Sequence, residues 1–350
     1  MQKAKLNPIL MAILAAALYG ISSPISKLLV VKIPPTFMAA LLYLGAGFGM
    51  LVVKGLEHLS KKKQMEARMT KKELPYIVGM IALDIAAPIL LMLGLTMTTS
   101  ANASLLNNFE IVATAVIALF VFKEAVGKHM WIAISLITIS SIVLTVDDLS
   151  SISFSAGSIF VLLACVCWGF ENNCTRMLSL KDPLQIVIVK GFGSGIGSLI
   201  ISVVLRNLCS DILSILYTLL LGFIAYGLSI YFYISAQRTL GAARTSTFYA
   251  AAPFIGVFIS WIIYSDGITG SFLAAFAIML VGSYFAVTEK HYHLHKHLEV
   301  IHEHKHNHTD GHHNHTHNPE VIGEHSHEHT HETIEHKHPH SSDLHHLHSH

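Results

Sequence analysis

Ten apolar stretches of about twenty residues each fill most of the chain between Pro8 and Val287. A helix of roughly 20 apolar residues matches the thickness of bilayer hydrocarbon, and runs of this length are typical of membrane proteins. The sequence therefore predicts an all-α polytopic membrane protein with ten transmembrane helices. The predicted spans, numbered 1 to 10, are 8–31, 35–53, 74–97, 103–122, 130–146, 156–174, 183–205, 212–235, 243–264 and 271–287.

The composition changes abruptly after Lys290. Only His58 and His129 precede this point, whereas 23 of the 25 histidines follow it. With histidine neutral, residues 291–350 carry a formal charge of −6 (three lysines against nine acids), and the first 290 residues carry +7 (20 Lys and Arg against 13 Asp and Glu). Because this tail holds few apolar residues, it cannot bury a core, and we expect it to be disordered when free of metal.

Basic residues are concentrated in alternate connectors. The connector after span 2 carries seven of them, and the later connectors on the same side contain Lys123, Lys128, Arg176, Lys181, Arg238 and Arg244. The connectors on the other side hold few, such as Lys32 and Arg206. Lys and Arg are enriched in cytoplasmic loops. The sequence thus predicts a multi-pass protein of the cytoplasmic membrane with both termini in the cytoplasm.

The chain also repeats itself. Residues 101–125 align with residues 243–267 at an offset of 142, and residues 18–27 align with residues 167–176 at an offset of 149. The difference of seven residues corresponds to extra loop length near Lys61. Each repeat contains five predicted helices, and five is an odd number, so the second repeat must enter the membrane from the opposite side.

Such inverted repeats are common in secondary transporters, whose binding site lies near the membrane midplane between the halves. The predicted domains are a first five-helix repeat over residues 1–148, a second over residues 149–289, and a disordered, histidine-rich cytoplasmic tail over residues 290–350.

Short motifs occupy corresponding places in the two repeats. They are LYG at 18–20, CWG at 167–169, FKE at 122–124, YSD at 264–266, and Pro253 within span 9. Together with the ten helices in two repeats, these motifs resemble the EamA-type drug/metabolite transporter superfamily over about residues 8–287. The resemblance implies an alternating-access carrier with a central cavity for small metabolites such as amino acids, nucleotide sugars or toxic cations. Glu110, where the second repeat has Ala252, departs from what the family leads us to expect.

Four charged residues, Asp84, Glu110, Glu171 and Lys190, fall inside the predicted spans. A charge at the bilayer centre costs at least ~2.5–3.5 kcal/mol on insertion scales, so such residues usually face a cavity or a partner. We interpret Asp84 and Glu110 as a cation or proton site, and Lys190 as their partner or as a receptor for an anionic substrate group. The alternative is a fixed salt bridge that only orients helices. Glu171 and Lys190 could instead reach towards headgroups.

Neutral polar and aromatic residues extend this candidate site. Asn107, Asn108 and Asn172 could contact the substrate, or they could form hydrogen bonds between helices. Tyr19 and Trp168 occupy equivalent places in the two repeats. They are predicted to wall the cavity and stack on the substrate, with plain helix packing as the alternative.

The tail consists largely of His-x-His steps, a pattern that indicates metal binding. Imidazole nitrogen binds zinc, nickel, cobalt and copper well, and nearby carboxylates can complete a site. The candidate ligands are His302, His304, His306, His308, His312, His313, His315, His317, His325, His327, His329 and His331. A low-complexity expansion without a role and a pH sensor built from many imidazoles are the alternatives.

The preferred interpretation is a secondary transporter that moves a small metabolite by alternating access, with export of amino-acid-like or amphipathic compounds favoured. A transition-metal transporter or metal-regulated carrier that uses the tail is the first alternative. A membrane-tethered metal store is the second. No enzyme activity is expected and no cofactor is required; zinc, nickel, cobalt or copper could bind to the tail. The expected partners are the lipid bilayer, a small-molecule substrate, divalent metal ions and a second copy of the chain, without nucleic acid.

Overall fold

The computed structural model describes residues 7–59, 71–122, 127–148, 153–178, 181–240, 245, 248–265, 269–288, 291–296, 300–306, 325–331 and 335–340. The prediction of an all-α membrane protein with ten spans is confirmed. The helices are Pro8–Gly20 and Ser22–Leu29 (span 1), Pro35–Leu59 (span 2), Leu74–Met97 (span 3), Ser100–Leu106 and Phe109–Phe122 (span 4), Lys128–Thr145 (span 5), Ala156–Leu178 (span 6), Pro183–Val204 (span 7), Ile212–Leu221, the π-helix Gly222–Leu228 and Ser229–Leu240 (span 8), Ala252–Tyr264 (span 9) and Gly270–Val287 (span 10). Over the described residues, eight spans are long and apolar enough to cross a bilayer, and spans 5 and 9 are shorter apolar helices.

Two spans are interrupted at equivalent places in the repeats. Span 4 was predicted as one continuous helix, but it breaks at Asn107 and Asn108. At this break the side-chain Nδ2 of Asn108 donates to the backbone carbonyl of Leu105 at 3.3 Å. Asparagine competes with helical hydrogen bonds in this way. In span 9, Thr245, Phe248 and Tyr249 are helical, a turn follows at residues 250–251, and the helix Ala252–Tyr264 comes after it. Pro253 therefore lies in the first turn of the helix that follows this break, where its missing N–H costs nothing.

The core lies between the two halves. Span 2 packs along span 7, span 3 along span 6, span 5 along span 10, and span 1 along span 8, so each of these pairs joins one helix from each repeat. Because each half contains five spans, the two halves cross the membrane in opposite directions, as predicted. The apolar side chains that point away from this interface, such as Phe120 and Val204, are strongly exposed, which suits contact with lipid.

Span 2 makes unusually close backbone contacts with spans 7 and 8. A Cβ atom added to Gly191 would lie 2.5 Å from the amide nitrogen of Gly47, and one added to Gly45 would overlap the carbonyl of Leu219. Small residues of this kind let helix backbones approach each other in membranes. Gly55, near the end of the same span, has open space around it. The close contacts are therefore confined to the part of span 2 that lies between the halves.

Short strands occur outside the helices. β1 (Val146–Asp148) and β2 (Ser153–Phe154) pair antiparallel in the connector between the halves. The tail contains β3 (His291–Lys296), β4 (Val300–His306), β5 (His325–His331) and β6 (Glu335–His340), where the sequence predicts disorder. Alternation at every second residue is the period of a β-strand, and the His-x-His steps have this period.

Candidate functional site

A buried ionic cluster joins three spans at the interface between the halves. The Lys190 Nζ atom of span 7 lies 3.1 Å from Asp84 Oδ2 of span 3 and 2.9 Å from Glu171 Oε1 of span 6. Asp84 is fully buried, and the side chains of Glu171 and Lys190 are 2% and 7% exposed. Neither Glu171 nor Lys190 reaches towards the headgroups. One ammonium group is therefore shared by two carboxylates that belong to different repeats, and with all three groups ionised the cluster carries a formal charge of −1.

Two hydroxyl groups complete this cluster. Tyr43 of span 2 donates a hydrogen bond from its hydroxyl to Asp84 Oδ1 at 2.8 Å, and Thr175 donates to Glu171 Oε1. Tyr43 is only 2% exposed. The sequence reasoning missed Tyr43, although a signal was present: a tyrosine in the middle of an apolar span usually needs a partner for its hydroxyl group.

A second acidic group lies beside the cluster. Asn172, the neighbour of Glu171, donates from Nδ2 to Glu110 Oε1 at 2.6 Å and to Thr114 Oγ1 at 3.2 Å. Glu110 thus has a neutral amide as its partner, whereas Lys190 is occupied by the other two acids. With all groups ionised, Asp84, Glu110, Glu171 and Lys190 carry a formal charge of −2, which a bound cation or proton would compensate.

A row of tyrosine rings leads away from the ionic cluster. The ring of Tyr43 lies 5.4 Å from that of Tyr226, measured between centroids, and Tyr226 lies 6.1 Å from Tyr19. Tyr19 stacks on Tyr249 at 5.7 Å, and Tyr249 lies 4.8 Å from Tyr233. These rings come from spans 1, 2 and 8 and from the segment before span 9. Aromatic faces attract cations, so the row and the acidic groups favour the same sign of ligand charge.

The repeat relates the two sides of this site. The offset of 142 places Asp84 on Tyr226, and the offset of 149 places Glu171 on Ser22. The equivalent pair is also in contact, because Ser22 Oγ lies 3.2 Å from the hydroxyl of Tyr226 and donates to it. Lys190, by contrast, corresponds to Leu41. Two polar contacts therefore occupy equivalent positions in the repeats. The contact that involves Asp84 and Glu171 is ionic, and the contact between Ser22 and Tyr226 is a neutral hydrogen bond.

Three further predicted site residues, Asn107, Asn108 and Trp168, contact other parts of the bundle. Asn107 Nδ2 is 3.5 Å from Ser23 Oγ of span 1, and Asn108 Oδ1 accepts from Ser283 Oγ of span 10 at 3.4 Å. Trp168 packs within the apolar core, unlike its equivalent Tyr19. The two asparagines therefore tie the break in span 4 to neighbouring helices.

A polar cavity of about 470 Å³ lies at the end of the bundle opposite the termini. Thr96, Thr98, Ser100 and Tyr264 are among the residues that line it. Lys27 also lines it and donates to the carbonyls of Leu95 and Thr98, the latter at 2.7 Å.

Metal ligands are not gathered in the helical part of the protein. Within the helical part, over the residues whose side chains the structure describes, no group of three or more His, Cys, Asp and Glu side chains is placed to hold a metal ion. Five of the predicted ligands, His308, His312, His313, His315 and His317, lie outside the described residues. The other seven belong to β4 and β5.

Known proteins resemble this chain over the helical part. Residues 6–146 and residues 155–288 each match the EamA-like transporter family. An uncharacterized transporter from Methanothermobacter thermautotrophicus is 23% identical over 270 residues, which cover 73% of this chain and 78% of the relative. A protein of known crystal structure matches with a TM-score of 0.59 and 15% identity, over 80% of this chain and 95% of that one. This last likeness concerns the fold alone.

Proposed function

Because this chain belongs to the EamA-like transporter family, we propose that it is a secondary transporter that carries a small metabolite with a positively charged amino group by alternating access. Amino-acid-like and amphipathic amines are the compounds that fit this description, and export is the proposed direction. The observation that supports the proposal most is the ionic cluster of Asp84, Glu171 and Lys190, buried between the two inverted halves.

The charge of the site supports an amine as substrate. Two carboxylates contact one ammonium group, a third carboxylate, Glu110, lies beside them, and the neighbouring tyrosine rings favour a cation. A substrate amine that binds between Asp84 and Glu171 would compete with Lys190 for both partners. The ionic contact between spans 3, 6 and 7 would then be exchanged for contacts with the substrate, which gives substrate binding a direct effect on how these spans pack. A ligand shifts a conformational equilibrium only through such a difference in contacts.

The transition-metal alternative has less support from these contacts. The acceptors around Lys190 are carboxylate oxygens rather than the imidazoles that suit zinc, nickel, cobalt and copper. A homodimer stays a prediction from the sequence.

Ligand stabilisation of the purified full-length protein tests the substrate class. A compound that binds only the folded protein stabilises it by about 2.7 kcal/mol at a hundred times its Kd. We expect primary amines and amino acids to raise the unfolding temperature, and their N-acetylated forms, which lack the charge, to have no effect. Stabilisation by the acetylated compounds but not by the free amines would contradict the proposal.

We propose that both termini face the cytoplasm, because the basic residues at that end of the bundle include Lys54, Lys71, Lys128 and Arg176. Cys209 lies in the connector between spans 7 and 8, at the opposite end, and is partly exposed. A membrane-impermeant maleimide should therefore label intact cells through Cys209 and lose that labelling in the Cys209→Ser variant.

A cysteine at Lys72 provides the matched control for this labelling. In a Cys209→Ser background, Lys72→Cys should react only after the cells are permeabilised, because position 72 lies at the end that contains the termini. Labelling of Lys72→Cys in intact cells, together with protection of Cys209, would reverse the proposed orientation.

A further inference from the structure

The backbone register of the tail strands places histidines opposite one another. β3 pairs antiparallel with β6, and β4 pairs antiparallel with β5. Six of the resulting residue pairs are His–His pairs: His291 with His340, His293 with His338, His295 with His336, His302 with His329, His304 with His327, and His306 with His325. In all six pairs the two residue numbers add up to the same total, so both strand pairs have the same register.

From this register we propose that the tail is a transition-metal-binding module in which histidines from facing strands share metal ions. In a strand, every second residue lies on the same face of the sheet. Residues directly opposite each other on antiparallel strands have their Cβ atoms about 4.5–5.5 Å apart. Two successive His–His pairs therefore bring four histidines to one face. A register shifted by one residue would put each histidine opposite a different residue type.

The donor set fits late first-row divalent metals. Zinc takes four nitrogen, sulfur or oxygen ligands at about 2.0–2.3 Å in tetrahedral geometry, and imidazole also suits cobalt, nickel and copper. Each three-pair stretch offers two overlapping sets of four histidines. The formal charge of −6 over residues 291–350 attracts divalent cations to the same segment.

Metal binding and pairing of the strands are then linked. The tail has too few apolar residues to hold a hairpin by burial alone. In small metal-binding domains, the free energy of metal binding stabilises the fold. The paired strands thus correspond to the metal-bound arrangement, and the metal-free tail keeps the disorder that its composition predicts.

The test exchanges neighbouring residues in β4 without altering composition or charge. The full-length variant carries His302→Glu, Glu303→His, His304→Lys and Lys305→His, so two histidines move opposite Glu328 and Ser326. Co²⁺ is the probe, because its visible absorption reports coordination geometry, and Zn²⁺ should displace it. We expect the wild-type protein to give the tetrahedral signal. We expect the exchanged variant to bind Co²⁺ at least about tenfold more weakly at that stretch, since half of the ligand set has moved.

A matched exchange outside the strands provides the control. Leu347→His, His348→Leu, Ser349→His and His350→Ser move the same number of histidines within a segment that follows β6 in the sequence, and they should leave the Co²⁺ signal intact. Equal binding by the wild-type protein and the β4 variant would overturn the proposal, and so would equal loss in both exchanged variants. Absence of Co²⁺ binding by the wild-type protein, or binding that survives deletion of residues 289–350, would overturn it as well.

Discussion

Replacing Lys190 with methionine should destabilise the folded protein severely. The substitution removes the ammonium group that lies 3.1 Å from Asp84 and 2.9 Å from Glu171, and it leaves two buried carboxylates without that partner. Removing one member of a buried ion pair typically costs about 3–5 kcal/mol, which is a large part of the stability of an ordinary domain. The measurements are the yield of monodisperse protein in size-exclusion chromatography and the unfolding temperature in detergent.

A neutralised triple variant separates charge from packing. Lys190→Met combined with Asp84→Asn and Glu171→Gln removes all three charges at similar volume, and it should recover much of the lost stability while remaining inactive in transport. Lys32→Met, which removes an exposed lysine from the connector between spans 1 and 2, should leave the unfolding temperature unchanged. If Lys190→Met alone unfolds at the wild-type temperature, the buried cluster does not hold the halves together as described.

Asp84→Asn should abolish gradient-driven flux while leaving the protein folded. Asparagine has nearly the volume of aspartate, its carbonyl can still accept the hydrogen bond from Tyr43, and Lys190 keeps Glu171 as a partner. The variant lacks the charge with which position 84 would bind a cation or exchange a proton. We expect flux into proteoliposomes at the level of empty liposomes, together with an unfolding temperature close to that of the wild-type protein.

A conservative change far from the cluster serves as the reference for Asp84→Asn. Glu57→Gln removes a carboxylate near the end of span 2 and should transport at the wild-type rate. Wild-type flux in Asp84→Asn would remove this residue from the proposed site, whereas loss of flux in both variants would point to a general effect of the protein's charge.

The ten spans could be predicted from the sequence because membrane thickness imposes the length of each apolar run. The predicted limits of span 3, Leu74 and Met97, coincide with those of the helix. The break in span 9 at residues 250–251 was not predicted, although Pro253 favours a helix start close to itself. The π-helix of span 8 had no local signal, because Gly222–Leu228 takes that form where it packs against span 2.

The candidate site could be predicted in part. The charged residues stood out because a charge in hydrocarbon is costly, but the sequence could not tell which acid faces Lys190, since that depends on how spans from different halves pack. Ser22 and Tyr226 were missed because hydroxyl groups are common in membrane helices. The repeat offsets contained a usable signal, since they relate Tyr226 to Asp84 and Ser22 to Glu171.

The glycine contacts of span 2 determine where the two halves can move. Gly47 and Gly191 bring the backbones of spans 2 and 7 together with no room for a single additional carbon atom, so these helices cannot be pressed closer at that point. If the proposed alternating access proceeds by rocking of the two halves, the inward-open and outward-open forms both keep spans 2 and 7 at least this far apart. Movements of the surrounding spans, rather than a closer approach of these two helices, would then open and close the way to the centre.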